Sequence, residues 1–64
     1  MNITVINISS RSLPYELLSA VSEWKDFDTL NNIAEQYNLK IKLVKFIYDG
    51  EEKPTEQQIA FGDI

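Results

Sequence analysis

The chain has 64 residues, and only one domain fits in that length; a domain this small buries about 60% of the surface its unfolded form exposes. It contains no cysteine and no histidine, which excludes disulfides, thiolate nucleophiles, cysteine-based zinc sites and the commonest general base. Ten acids against six bases give a net charge of −4, which disfavours binding to nucleic acid or to anionic membranes.

Residues 2–8 are rich in Ile, Val and Thr and too short for a helix, so they read as a strand. Alternation puts Ile3 and Val5 on one face and Ile6 and Ile8 on the other. Ser9-Ser10-Arg11-Ser12 ends that strand, and Ser12 is the expected N-cap of a helix with Leu13 and Pro14 in its first turn. Leu13, Leu17, Ala20, Val21 and Trp24 then recur at helical spacing. Asp26 or Asp28 offers a second cap before Leu30, Ile33, Ala34 and Tyr37, and Asn38 suits a left-handed helix end. A single helix over 13–37 would be about 37 Å long, so a break is expected near residues 25–28.

Residues 40–48 form the strongest strand pattern, Asp49–Pro54 a turn with an Asp-Gly signal, and 55–63 a weaker last strand. A symmetric hairpin would set Tyr48 opposite Thr55, Val44 opposite Ile59 and Lys40 opposite Asp63. The expected fold is therefore one α+β domain over residues 1–64. Its order is β-α-α-β-β, with a largely antiparallel three-stranded sheet and helices on one face.

Charge is segregated along the chain. Residues 1–39 hold five acids and two bases, Lys40, Lys42 and Lys45 follow, and residues 46–64 hold five acids and one base. Cross-strand pairing of the lysines with the acidic segment is the simplest reading. A phosphate-binding strip using these lysines and Arg11 is disfavoured, because regular alternation puts Lys40 and Lys42 opposite Lys45.

Chemical motifs are sparse. Ser9, Ser10 and Ser12 have no histidine to take a proton, and two glycines cannot build a phosphate-binding loop. The acids Glu16, Glu23, Asp26, Asp28 and Glu35 fit a solvated helix face, and Asp49-Gly50-Glu51-Glu52 is too short for a calcium loop. Trp24, Phe27 and Tyr37 fit a helical apolar stripe and read as core, while the polar tips of Trp24 and Tyr15 suit a rim equally well. No catalytic residue, metal or cofactor is expected, and an enzyme is disfavoured. Without a signal peptide or an apolar run near 20 residues, a cytoplasmic location is expected.

The sheet pattern is apolar on both faces. In the symmetric register, Val44, Phe46, Tyr48, Ile59 and Phe61 share one face, and Ile41, Leu43, Ile47 and Ala60 the other. About two dozen helical residues can shelter only one of them. The uncovered face is expected to bind a protein, either a partner or a second copy of this chain. Val44, Phe46, Tyr48, Ile59 and Phe61 are the candidate contacts; Leu43 and Ile47 replace them if the helices cover that side. The matching function is a small acidic protein-binding module, in the manner of phage- or plasmid-encoded inhibitors of host enzymes or defence systems. A homodimer joined through the open sheet face is the alternative. The run Leu13-Pro14-Tyr15-Glu16-Leu17 to Ile33, followed by a strand, resembles the helix–helix–strand run of ArdA-type antirestriction proteins. That likeness covers under half of the chain in generic helix formers and assigns no family.

Overall fold

The computed structural model describes residues 2–50 and 52–64; Met1, and Glu51 of the expected turn, lie outside the described residues. The order is β1 (Asn2–Asn7), α1 (Tyr15–Ser22), α2 (Phe27–Gln36), β2 (Leu39–Ile47) and β3 (Glu56–Asp63). This is the α+β arrangement that the residue pattern predicts. The sheet order is β1-β3-β2, with β3 antiparallel to β2 and parallel to β1, so the sheet is mixed. The segment expected to be the weaker last strand is thus the central one, and β2 is an edge. Paired on both sides, β3 buries Gln57 and the run Ile59, Ala60, Phe61 and Gly62.

Leu17, Ala20 and Val21 of α1 and Leu30 and Ala34 of α2 pack with Leu39, Ile59 and Phe61 in one core. Ile3, Val5, Leu13, Ile33, Ile41 and Val44 border it. Residues directly opposite in a ladder share a face. The helix-covered face therefore carries Ile3 and Val5, Gln57, Ile59 and Phe61, and Leu39, Ile41, Val44 and Phe46.

Leu39 and Ile41 differ in parity from Val44 and Phe46, yet all four share that face. The reason is a β-bulge: the register shifts between Ile41 and Leu43, and Lys42 has no partner in β3. The symmetric hairpin holds on one side of Lys42, where Val44 opposes Ile59 as expected. On the other side it slips by one, so Lys40 opposes Gly62 and Leu39 opposes Asp63. The expected Lys40–Asp63 pair is not formed. Asp63 instead accepts from the Ser10 amide at 3.2 Å and lies 3.9 Å from Arg11.

Helix boundaries also differ from expectation at one end. Pro14, not Ser12, is the N-cap of α1; it is extended (φ −68°, ψ 148°), and its carbonyl accepts from the Leu17 and Leu18 amides. A residue preceding proline avoids the helical region, which holds Leu13 outside the helix. At the other end α1 closes with two bonds, Trp24 N–H to the Val21 carbonyl and Lys25 N–H to the Ala20 carbonyl, around Trp24 at φ 61°. That is the Schellman pattern. Asp26 then caps α2, accepting from the Thr29 amide at 2.7 Å, and Asn38 ends it at φ 60°. The molecule's long axis is 37 Å, enough for an unbroken helix, so these caps, not the size of the molecule, impose the break.

Deleting Lys42 should close the bulge and turn either Leu39 and Ile41 or the remainder of β2 to the opposite face. Losing two core side chains at about 2–3 kcal/mol each would consume most of the stability of so small a domain. Circular dichroism and urea melts should find the deletion variant largely unfolded and Lys42→Ala folded.

Candidate interaction surfaces

The helices settle which candidate contacts are available. They cover the face of Val44, Ile59 and Phe61; Ile59 is 1% exposed and Phe61 0%, so both are core residues and cannot meet a partner. Val44 is half-buried against the same core. This corrects Ile59 and Phe61 as contacts and leaves Val44 only partly accessible; with the helices on this side, Leu43 and Ile47 are the candidates on the uncovered face. Phe46 and Tyr48 remain exposed, Phe46 where β2 runs beyond the core and Tyr48 just past its end.

Phe46 belongs to a groove of about 320 Å³ lined also by Trp24, Lys25, Asp26, Phe27 and Gln57. The α1–α2 junction supplies one wall and the β2–β3 ladder the other, since Phe46 and Gln57 are directly opposed. Three aromatic side chains stand around it, with Trp24 54%, Phe27 41% and Phe46 44% exposed. Gln57 is a buried polar side chain within this apolar lining. The core reading of Trp24, Phe27 and Tyr37 therefore does not hold, and Trp24 takes the rim position that its polar tip also suited. Trp24 lies beyond the last turn of α1, and its left-handed backbone turns the indole off the buried stripe.

The backbone of Trp24 marks this position as unusual. The residue after a Schellman-type helix end is usually glycine, because a Cβ in the left-handed region costs about 1–2 kcal/mol. Sequence alone gave no sign of this, since Trp24 also fits the helical period of Leu17, Ala20 and Val21.

A second groove of about 400 Å³ is lined by Tyr15, Glu16, Ser19, Ala20, Glu23, Lys25 and Ile33, between the two helices. The Tyr37 hydroxyl donates to Glu16 at 2.7 Å, tying the end of α2 to the start of α1. That bond, and the Glu16 charge behind it, raise the Tyr37 pKa above the ordinary tyrosine value of 10.0. Among the described residues, no cluster of three or more Asp or Glu is placed to hold a metal ion.

The other face of the sheet is the open one. It carries Thr4 and Ile6, Glu56, Gln58, Ala60 and Gly62, and Lys40, Leu43, Lys45 and Ile47. Leu43 is 51% exposed, Ile47 is half-buried, and Ala60 is buried between Ile6 and Leu43. Among the described residues the expected pairing of the lysines with acids is absent: Lys40 opposes Gly62 and Lys45 opposes Gln58. No described helix is long and apolar enough to cross a membrane. Comparison with family models, curated proteins and solved structures finds no match to this chain.

Trp24→Gly should leave the fold intact and raise its melting temperature, since glycine relieves the left-handed strain by up to about 1 kcal/mol. Thermal melts followed by circular dichroism check this.

Asp26 supplies a pH dependence. Hydrogen bonds from the Thr29 side chain and then its backbone amide lower the Asp26 pKa below 3.8. A carboxylate depressed in the folded state stabilises above its unfolded value, and that stabilisation is lost as pH falls through the folded value. Below about pH 4, wild type should therefore lose stability more steeply than Asp26→Asn, which keeps a capping oxygen without a charge. Urea melts across that range read the difference.

Proposed function

We propose that this protein works by binding another protein, and that the aromatic groove of Trp24, Phe27 and Phe46 is its contact. The observation that carries this reading is the exposure of all three aromatics around one groove of about 320 Å³, with Trp24 held there by a strained backbone. Strained residues persist where the surrounding structure fixes them, and they concentrate at functional sites. Trp and other aromatics are enriched among the residues that dominate binding energy at protein interfaces. Burying the exposed half of each ring would contribute about 1 kcal/mol per residue.

The role is occupation rather than catalysis. The chain has no histidine or cysteine, and the described acids form no metal-binding cluster. A small acidic protein with one aromatic contact fits an inhibitor that blocks a surface of a host enzyme or defence protein. The alternative homodimer, joined through the open sheet face, would bring the Lys40 and Lys45 faces of two copies together, which like-charge repulsion opposes.

Immobilised wild type should retain one protein from the native host, and Trp24→Gly and Phe46→Ser should both release it while keeping their circular dichroism spectra. Equal capture by all three proteins would refute the groove as the contact. Sedimentation at micromolar concentration should show a monomer; a dimer that survives both substitutions would favour self-association through another surface.

A further inference from the structure

The bulge in β2 has an effect beyond the core. Before it, Lys40 opposes Gly62; after it, Lys45 opposes Gln58. Gly62 and Gln58 alternate with the core residues Phe61 and Ile59, so both lysines lie on the open face. Lys42 is there too: a Cβ built on Gly62 would come within 2.9 Å of its Cγ and 3.2 Å of its Cε. In an unbroken ladder Lys40 and Lys45 would point to opposite sides. The inserted residue instead gathers three exposed lysines, half of the bases in the chain, on one surface.

Apolar groups stand among them. Ile6, Ala60 and Leu43 form a row across all three strands, and the Ile8 side chain lies beside Gly62. Leu43 and Ile8 are 51% and 58% exposed. Glu56, the carboxylate that the register places on this face, accepts from the Thr4 hydroxyl at 3.3 Å and the Gln58 amide at 3.1 Å. Among the described residues none of the three lysines forms an ion pair.

We propose that the open face is a docking surface for an acidic segment of a partner protein, one whose carboxylates alternate with apolar side chains. Charge complementarity selects that occupant. A second copy laid face to face would set three lysines against three. Single-stranded nucleic acid binds through aromatic rings on which bases stack, but the sheet aromatics Phe46 and Phe61 occupy the other face, opposite Gln57 and Ile41. Away from this face, nine acids confront only three bases, so a long polyanion would run from three lysines into a negative surface. A short acidic segment can meet the three lysines, with Glu56 already engaged by Thr4 and Gln58. The surface lies across the sheet from the aromatic groove and stands independently of the role assigned to that groove.

The probe is a labelled peptide of alternating Glu and Leu, titrated into isotope-labelled protein and followed by amide chemical shifts. Shifts are expected at Ile6, Lys42, Leu43, Lys45 and Gln58. Affinity should fall at least about tenfold in Lys40→Glu/Lys45→Glu, and also between roughly 50 and 300 mM salt, where screening shortens the reach of exposed charges. Both lysines are exposed, so the double variant should keep its fold by circular dichroism; Trp24→Gly should bind the peptide as wild type does. Unchanged binding by the double variant, or shifts confined to the helices, would overturn the proposal. Tighter binding of a single-stranded oligonucleotide of equal charge would replace the occupant with nucleic acid. Self-association abolished by the double variant would replace it with a second copy.

Discussion

A single unpaired residue in the β2–β3 ladder sets the side-chain alternation on which the rest of the molecule depends. Because Lys42 opposes nothing in β3, Leu39 and Ile41 join Val44 on the side of the helices, and the core gains two large aliphatic groups that regular alternation would divide. The same shift removes Lys40 from the core side. In a chain of 64 residues there is no spare apolar surface to absorb the loss of either group. A bulge on an edge strand also interrupts regular pairing with another strand, which suits the position of β2 at the border of the sheet.

The helix layer is shaped by a comparable local exception. α1 has eight residues and α2 ten, both short for helices stable in isolation, so tertiary packing and end caps must hold them. Trp24 at φ 61° and Asp26 as the following N-cap turn the chain within a few residues, which lets both helices lie over the Ile59–Phe61 stretch of β3. The turn also brings Trp24 and Phe27 beside Phe46. A strained backbone and an exposed aromatic cluster thus arise from one junction.

Two different surfaces result. On the helix side, beyond the edge of the core, aromatic rings surround a groove with a buried amide. On the reverse of the sheet, lysines alternate with aliphatic side chains. Their chemistry differs, so contacts made at one need not compete with contacts made at the other. Glu16, Glu23, Asp26, Asp28 and Glu35 lie on or next to the helices, which leaves the molecule negative on the helix side and positive on the open sheet face.

Local sequence determined the elements themselves. β-branched runs gave the strands, the Leu17–Ala20–Val21 and Leu30–Ala34 spacings gave the helix faces, and Asp26 and Asn38 marked the ends of α2, because each of these signals acts within a few residues. The pairing of Val44 with Ile59 was also legible, from hairpin symmetry. Tertiary structure alone decided the parallel placement of β1 beside β3, the bulge at Lys42 and the positive φ of Trp24. The first two depend on which residue meets which across long separations; the Trp24 turn is closed locally, by bonds to Val21 and Ala20, at a residue whose side chain equally fits the helical period. A periodic pattern assumes unbroken alternation, so it scattered the lysines, and one inserted residue gathered them; Phe61 and Ile59 became core residues for a different reason, because the helices cover their face, which the alternation within the strands does not specify.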